Sequence, residues 1–396
     1  MKGQSMQYRR FSMAALVIAL MTAGSMSGSA QTSATPYDVN AILPLTGAFA
    51  FFGQASMKTM SLVADQVNAT GGIHGRPVHM VFLDDQSSPQ LSVQFANGLI
   101  AKKTPVVLGP AVTATCAAVA PLVAAAGPLM FCISPYINTG SYVYVTAGTA
   151  LDNAIVVLRY YKEKGYKRFA MLNSTDASGA ALDAAFDQAF ALPQFASLNL
   201  VAHEHFAPAD QSVAAQMAVV KAAQPQVLIS WTVGSPFSTV IRGLHDSGLD
   251  VPLVANGANM TIAQISQLAS IAPKELDFLT IPAAVQGSAV EPRIAKVERD
   301  FDTLFAKAGL KPDGGYANGY DMTILVMNAL RKVPPDPSAA QMQAFFSHLH
   351  DFPGANAVYD FRFSQRGSGQ NGFELARFDA SRNDFVPISK PGGSPL

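Results

Sequence analysis

The feature that most constrains this chain is a stretch at residues 105–139 in which one pattern occurs twice. Two apolar runs, at residues 105–108 and 128–133, end in Gly-Pro and in Ser-Pro, and a helical pattern rich in Thr and Ala lies between them. Short β-rich runs that stop at such residues and lead into a helix are typical of strands in a parallel sheet. Parallel sheets bind ligands at the loops that follow their strands, so this stretch predicts the floor of a binding cleft.

The same alternation of strand and helix extends through the rest of the chain. A predicted strand at residues 37–43, a helix at 55–69 and a strand at 77–83 precede the cleft stretch, and a second set of strands and helices begins after it. Two sets of this kind form two doubly wound, Rossmann-like lobes of the α/β class. Near the C-terminus, a hairpin is predicted between residues 358–363 and 373–378.

Composition supports a well-buried α/β protein and argues against several function classes. The 396 residues are enough for two domains, and 49% of them are hydrophobic whereas only 14% are charged. The formal net charge is +0 and no basic run is present, so we predict no nucleic-acid partner. The sequence has no Gly-x-Ser-x-Gly elbow, no phosphate-binding Gly-rich loop and no zinc-ligand spacing, so we predict no enzyme, no cofactor and no metal.

The first 30 residues are predicted to be a cleaved export signal. Lys2, Arg9 and Arg10 give a basic start, residues 11–23 form an apolar stretch, and Gly-Ser-Ala ends the segment as a small-residue cleavage site. The apolar stretch is shorter than the about 20 residues that span a bilayer. We therefore expect a periplasmic protein, exported by either the general secretory or the twin-arginine route.

Two pairs of side chains have more than one interpretation. Cys116 and Cys132 both lie in the cleft stretch, where an exported protein could join them in a disulfide or bury them as free thiols. His203 and His205 could share one face of a strand and bind a metal. No Cys or carboxylate cluster in the sequence supports the two histidines, so we predict no metal site there.

Two adjacent carboxylates, Asp84 and Asp85, end a predicted strand. Neighbouring residues on a strand point to opposite faces, so one strand does not direct both carboxylates at one ion. We predict instead that they cap the loop that follows the strand.

Several motifs, in order along the chain, carry a resemblance to a known family. The most specific is N-A-T-G-G-I-H-G-R-P at residues 68–77, and weaker ones are L-T-G at 45–47, Gly-Pro at 109–110 and Ser-Pro at 134–135. With these motifs the chain resembles the periplasmic substrate-binding proteins of ABC transporters, in the leucine/isoleucine/valine-binding branch. The resemblance covers nearly the whole chain after the signal.

This resemblance implies the type I periplasmic binding protein fold, in which three crossovers join two lobes and the ligand lies between them. After the signal at residues 1–30, it places residues 31–146 and 281–354 in an N-terminal lobe. Residues 147–280 and 355–396 then form a C-terminal lobe. Closure of the lobes would use hinge changes at the crossovers.

The resemblance also implies ligand-binding positions in the cleft stretch. In the family, the loop after the Gly-Pro strand offers hydroxyl and backbone N–H groups to a ligand carboxylate, and Thr113 occupies that place. A helix start suits this role, because its first N–H groups and its positive dipole end attract an anion. Tyr136 and Asn138 lie in the next loop, and Phe52 lies where the family often has an aromatic ring near the ligand.

The loops across the cleft, at Ser178, Gly234 and Asn256, are expected to select the ligand. Amino-acid binders of the family carry an acidic residue in the loop equivalent to residues 256–259, and a Tyr at the place of Ser178. This chain has neither. A buried ammonium group without a partner is costly, so the departures argue against an α-amino acid. The loops at residues 175–179 and 256–259 resemble those of family members that take aromatic or other organic acids.

The sequence thus predicts an exported solute-binding receptor that closes on a small organic anion and delivers it to an ABC permease in the inner membrane. The anion would be an aromatic or other carboxylate, or a compound that resembles a branched-chain amino acid. One alternative is a receptor of the same fold that senses its ligand in signalling without transport. A more distant alternative is an exported α/β hydrolase.

Overall fold

The structure is a computed structural model that describes residues 35–135, 137–289 and 291–396. The predicted export signal and Tyr136 lie outside the described residues. Within the described ranges, no helix combines the length and the apolar character that crossing a bilayer requires.

The first sheet has five strands in the order β2-β1-β3-β4-β5, and each neighbouring pair is parallel. Its short central strands are fully buried, as expected for a parallel sheet covered on both faces. The strands are β1 Tyr37–Leu43, β2 Val78–Asp84, β3 Val106–Leu108, β4 Leu129–Phe131 and β5 Val143–Tyr144. The helices that connect the first four strands are α1 Ala50–Ala69, α2 Pro89–Ala101 and α3 Thr113–Val123.

The second sheet has seven strands in the order β14-β13-β10-β9-β8-β6-β7. Five of them are parallel, and the last two of the chain run antiparallel at one edge. The strands are β6 Arg168–Ser174, β7 Asn199–Phe206, β8 Val227–Ser230, β9 Leu253–Asn256, β10 Leu276–Thr280, β13 Glu374–Asp379 and β14 Asp384–Pro387. The helices around it are α4 Ala150–Glu163, α5 Ala177–Phe190, α6 Ala214–Ala222, α7 Ser235–Ser247 and α8 Ile262–Ile265.

Between β10 and β13 the chain returns to the first sheet. The returning elements are α9 Pro292–Lys307, α10 Gly314–Lys332, α11 Ala339–His348, β11 Phe352–Pro353 and β12 Val358–Tyr359. The Thr59 hydroxyl of α1 donates to the Tyr316 carbonyl of α10 at 2.9 Å, and the Phe346 ring of α11 lies 4.9 Å from the Phe131 ring of β4. The two sheets and this return confirm the predicted α/β fold class, whereas the lobe boundaries at single residues stay predictions.

The structure departs from two predicted elements. Helix α1 begins at Ala50, five residues before the predicted start, so Phe52 lies in its first turn. The predicted hairpin between residues 358–363 and 373–378 is wrong: β12 pairs with β11, and β13 pairs with β10 and β14. The reason is that β13 lies between β10 and β14 in the second sheet, and β10 is a long-range partner that local pattern does not reveal.

The two cysteines are joined in a disulfide. Cys116 lies in the first turns of α3 and Cys132 directly follows β4, and both are buried. Of the two interpretations of the sequence, the structure therefore supports the bonded pair, which ties the start of α3 to the end of β4.

Candidate functional site

A cavity of about 270 Å³ lies where the carboxyl ends of strands from both sheets meet. This is the edge at which parallel sheets bind ligands. The first sheet contributes segments that follow β1, β2, β3 and β4, and the second contributes segments that follow β6, β8, β9 and β10. The stretch predicted as the cleft floor supplies residues 111–114 and 133–135.

One wall of the cavity is the start of α3. Thr113 is the first residue of α3, it is 5% exposed, and its hydroxyl lies 2.8 Å from the Ser134 hydroxyl at the end of β4. The preceding residue, Val112, provides no side-chain cap. The first N–H groups of an α-helix have no partner within the helix, and they carry the positive end of its dipole. This wall therefore offers the first backbone N–H groups of α3 to one negatively charged group, together with a pair of hydroxyls in which one of the two protons already lies between the oxygens.

Apolar side chains form most of the remaining surface. Phe49 and Phe52 come from the beginning of α1, Ile133 follows β4, Val233 follows β8, and Phe373 precedes β13. The early start of α1 is what brings Phe52 to the cavity, where its side chain is buried. The cavity thus joins a polar corner to an apolar body, the usual character of a small-molecule site.

The opposite wall carries Asp176, Ser178 and Asn256. Oδ1 of Asp176 accepts hydrogen bonds from the backbone N–H groups of Ser178 and Gly179 at 2.9 and 3.0 Å, so Asp176 caps α5. Oδ1 of Asn256 accepts the Ala258 N–H at 2.9 Å. Among the described residues that line the cavity, Asp176 is the one carboxylate and none is Lys, Arg or His.

Gly234 has a different position from the one predicted. It precedes α7 and does not line the cavity; its Cα faces the first lobe, where a Cβ would lie 2.1 Å from the Ala48 carbonyl oxygen. The Ser235 N–H donates to the same oxygen at 3.3 Å, which links the two walls across the cleft. Gly234 is therefore part of the contact that covers the cavity.

Asn138 is not brought to the cavity. It is exposed and lines a separate cavity together with Gly140 and Arg366. The Arg366 guanidinium donates to the carbonyls of Pro135, at 2.8 Å, and of Ile137, and this holds the segment in a path that leads away from Thr113. The ligand-binding role of Phe52, Thr113, Ser178 and Asn256, which do line the cavity, stays a prediction.

Sequence reasoning missed several residues of the cavity. The sequence identifies Ser134 only as the end of a strand. Its hydroxyl follows a strand of the first sheet, as the Thr113 hydroxyl does, and indicates a cavity residue in the same way. Asp176 precedes a helix and has the residue type of an N-cap, which identifies it in sequence as a helix start but not as a cavity residue. Phe373 comes from the far end of the chain, and no local signal points to it.

Asp84 and Asp85 hold the loops at the mouth of the cavity, as predicted. Asp84 accepts hydrogen bonds from the N–H groups of Leu45, Thr46 and Gln86 and from the Thr46 hydroxyl. Burial opposes ionisation, but these hydrogen bonds hold the pKa of Asp84 below its ordinary value. Asp85 is fully buried, and burial raises its pKa although hydrogen bonds from its neighbours partly offset the effect. The two carboxylates support the loops and do not enter the cavity.

Comparison with known proteins places the chain among binding proteins. A family model described as periplasmic binding protein matches residues 36–383. A Leu/Ile/Val-binding protein homolog 3 from Brucella melitensis is 26% identical over 240 residues. This match covers 59% of the chain and 64% of that relative, so it spans slightly less than two thirds of the relative's length.

Solved structures share the fold at low sequence identity. An extracellular ligand-binding receptor from Rhodopseudomonas palustris HaA2 has a TM-score of 0.79 and 16% identity, covering 90% of this chain and 100% of that one. The branched-chain amino acid transporter protein LivJ of Streptococcus pneumoniae, in complex with isoleucine, has a TM-score of 0.76, 17% identity and coverage of 89% and 99%. A fatty acid ABC transporter substrate-binding protein from Thermomonospora curvata has a TM-score of 0.75, 16% identity and coverage of 89% and 91%.

Proposed function

This chain belongs to the periplasmic binding protein family, and we propose that it is an exported receptor of an ABC transporter that binds a small organic carboxylate between its lobes. The observation that carries the proposal is the start of α3. There, backbone N–H groups and the hydroxyls of Thr113 and Ser134 meet at one corner of the cavity. A carboxylate is the group that such a corner suits, because it accepts several hydrogen bonds at once and gains from the helix dipole.

The absence of basic side chains among the described cavity residues fits a carboxylate as the ligand group. Among the described lining residues there is no Lys or Arg, so the negative charge would be answered by dipoles and hydrogen bonds alone. Such an arrangement suits a single carboxylate, because a phosphate dianion or a dicarboxylate carries a second negative charge for which the described lining residues offer no basic partner. We therefore propose a monocarboxylate.

The size and surface of the cavity define the rest of the ligand. Its volume of about 270 Å³ exceeds the about 150 Å³ of an apolar cavity that holds benzene. Phe49, Phe52 and Phe373 border the space next to the carboxylate corner. An aromatic acid, or an acid with a branched aliphatic chain, would fill the cavity and bury its apolar part.

A ligand with an ammonium group would need a negative partner, and Asp176 is the one candidate among the described residues that line the cavity. Its Oδ1 is engaged with two backbone N–H groups of α5, which already offset part of its charge. We therefore propose the carboxylate without an ammonium group as the main ligand class. A compound that resembles a branched-chain amino acid is the competing class.

Calorimetric titration of the protein without its signal tests the ligand class. The panel contains aromatic monocarboxylates, branched aliphatic acids and their 2-oxo derivatives, leucine and valine. We expect binding of one of the acids, and none or much weaker binding of the amino acids. Tight binding of leucine or valine with no response to any acid would refute the organic-acid proposal.

Delivery to a permease is the transport part of the proposal, and the transporter proteins among the structural neighbours support it. The test is uptake of the labelled ligand by cells with and without the gene for this chain. Loss of uptake supports delivery to an inner-membrane permease. Unchanged uptake together with loss of a cellular response to the ligand would instead favour the signalling receptor.

Thr113→Val is expected to weaken carboxylate binding by about 10- to 100-fold. Valine keeps the shape of threonine but removes the hydroxyl, and a hydrogen bond to a charged group is worth about 1.5–3 kcal/mol. The measurement is the dissociation constant of the ligand found by calorimetry. The matched control is Thr115→Val in the same helix, where the hydroxyl donates to the Val112 carbonyl and not to the cavity. Equal affinities for Thr113→Val and wild type would remove the hydroxyl from the site.

Asp176→Asn separates the two ligand classes. Asparagine caps a helix as well as aspartate does, so the change removes the charge and keeps the start of α5. We expect the affinity for a simple carboxylate to stay within about threefold or to rise, because a like charge has been removed. If instead the affinity for the ligand identified by calorimetry falls by more than about tenfold, the carboxylate of Asp176 binds an ammonium group on that ligand.

A further inference from the structure

A cluster of two histidines and one carboxylate lies outside the cavity. His203 and His205 are two residues apart on β7, the edge strand of the second sheet, so their side chains share one face. Asp183 of α5 lies opposite them. Nε2 of His203 is 2.8 Å from Oδ1 of Asp183, and Nε2 of His205 is 2.9 Å from Oδ2. One potential ligand atom from each residue lies within 4.8 Å of the other two.

The sequence predicts no metal site at the two histidines, because no Cys or carboxylate cluster lies beside them in the chain. Asp183 lies 20 residues before His203 in the chain, on a different element. The fold brings it to the histidine face of β7, so the missing third ligand is supplied by packing and not by sequence spacing. Two imidazoles and one carboxylate form a common set of protein ligands for a catalytic-type zinc site with an open position.

We propose that Asp183, His203 and His205 form a binding site for a divalent transition-metal ion, with Zn²⁺ as the reference ion. Zn–N and Zn–O bonds of about 2.0–2.2 Å put tetrahedral ligand atoms about 3.3 Å apart. The present separations of 2.8 and 2.9 Å are those of hydrogen-bonded pairs, so each histidine would move by about 0.5 Å to admit the ion. The side chains have room for this motion, because His203 is 25% and His205 is 42% exposed.

A second layer of hydrogen bonds holds the carboxylate in place. The side-chain Nδ2 of Asn173 donates to Oδ1 of Asp183 at 2.7 Å, and Oδ1 of Asn173 accepts a hydrogen bond from the backbone N–H of Trp231 at 2.7 Å. Asn173 is fully buried, so this chain of contacts anchors Asp183 to the interior of the sheet. Ligands of protein metal sites are typically oriented by such outer partners. The carboxylate therefore has a fixed direction, while the histidines keep some freedom to adjust.

The ligand types select the class of ion. Two imidazole nitrogens suit Zn²⁺, Ni²⁺ and Cu²⁺, whereas Ca²⁺ and Mg²⁺ prefer six or more oxygen ligands. The open side of the cluster faces solvent, where water would complete the coordination sphere. The ion is thus bound by three protein groups at the surface of the second sheet, and its site is separate from the ligand cavity, to which none of the three residues contributes.

The competing explanation is an ion-pair network that only fastens β7 to α5. The charged groups that face His203 are Asp183 and Asp187 from α5 and Glu204 from its own strand. Because each imidazole must be deprotonated to bind an ion, the metal affinity is expected to fall as the pH is lowered from 7.5 to 5.5.

Titration of untagged, EDTA-treated protein with ZnCl₂ distinguishes the two explanations. At pH 7.5 we expect one tightly bound ion per chain and at least about tenfold weaker binding in His205→Ala and in Asp183→Asn, since each loses a ligand. The matched control is His79→Ala, which removes an exposed histidine paired with Asp38 at 2.9 Å and is expected to bind zinc as wild type does. Nickel is tested in the same way.

Two results would overturn the proposal. One is the absence of saturable zinc binding to the wild-type chain. The other is wild-type zinc affinity in both His205→Ala and Asp183→Asn. Circular dichroism and unaltered binding in the ligand cavity verify that each variant is folded. If His205→Ala does not fold, His205→Gln replaces it, because His205 is the more exposed of the two histidines.

Discussion

A Gly234→Val variant is expected to bind the ligand at least about tenfold more weakly than the wild type while retaining its fold. Gly234 has φ +78°, a conformation that side-chain-bearing residues rarely adopt. More important for binding, an added Cβ would lie 2.1 Å from the Ala48 carbonyl oxygen on the other side of the cleft. The two walls could then no longer approach closely enough to form the hydrogen bond between Ser235 and Ala48.

The effect on affinity follows from the energy of the closed form. A ligand that is buried by closure binds with an affinity that includes the stability of the closed state. Each 1.4 kcal/mol by which the substitution disfavours closure costs about a factor of ten in the dissociation constant. Calorimetry with the ligand identified for the wild type measures this change directly.

The matched control lies at the other end of the same helix. Gly248 follows α7 with φ +64°, and the nearest heavy atom to an added Cβ there is the Lys221 side-chain nitrogen at 3.9 Å. Gly248→Val therefore also places a side chain at a positive φ without touching the cleft, although the left-handed helical backbone at Gly248 (ψ 21°) accepts a side chain more readily than the backbone at Gly234 (ψ −141°). If both variants lose affinity equally, the loss comes from backbone strain and not from the contact with Ala48.

The largest loss of stability is expected from Asp321→Asn. The carboxylate of Asp321, buried in α10, accepts four hydrogen bonds: the Ala355 N–H at 2.7 Å, the Asn356 N–H at 2.9 Å, the Asn356 side-chain amide at 2.8 Å and the Tyr359 hydroxyl at 2.5 Å. An amide oxygen can replace only one of the carboxylate oxygens, and the amide nitrogen would then face a donor. Buried donors without a partner cost about 1–3 kcal/mol each, so we expect a loss of about 3 kcal/mol.

Urea unfolding of the protein without its signal measures the loss as a lower midpoint. Asp300→Asn is the control, because Asp300 is exposed and makes a single ion pair with Lys296 on the surface of α9. Exposed pairs of this kind contribute about 0–1 kcal/mol, so the midpoint of the control should hardly change. Equal midpoints for Asp321→Asn and wild type would contradict the expected role of the carboxylate.

The position of Asp321 also bears on the two later crossovers. Asn356, which it binds, accepts the Ala283 N–H at 3.0 Å and lines the ligand cavity. Residues near 280 and 355 are where the second and third crossovers are predicted. One buried carboxylate thus holds both predicted crossover segments against α10. Asp321→Asn is therefore expected to weaken their attachment as well as to lower the stability of the fold.

Much of the fold could be predicted because its signals are local. Each parallel strand is a short apolar run that ends in a breaking residue, and each following helix has its own period. Thr113 was predicted from the family resemblance, and it lines the cavity because a residue that follows a parallel strand lies at the carboxyl edge of the sheet. The predicted start of α1 is five residues too late, because the aromatic first turn, which lines the cavity, precedes the periodic part of the helix on which the prediction depends.

The parts that sequence could not supply depend on contacts between distant segments. Phe373 reaches the cavity only because β13 pairs with β10 across about a quarter of the chain, and Asn138 is kept from it by Arg366. Asp183 joins two histidines from another element, which no spacing rule reveals. In each case the partner is chosen by three-dimensional packing and leaves no periodic signal.

The disulfide between Cys116 and Cys132 has a consequence for the cost of binding. Thr113 and Ser134 lie three and two residues from the two cysteines, so the covalent link joins the two segments that carry the carboxylate corner. A site whose donors are already held together spends less binding free energy on ordering them. Because the link forms in oxidising compartments, a chain that has reached the periplasm would hold its corner more rigidly than the newly made chain in the reducing cytoplasm. Under the proposed function, export would thereby also complete the receptor, and ligand capture would be favoured on the side of the membrane from which uptake begins.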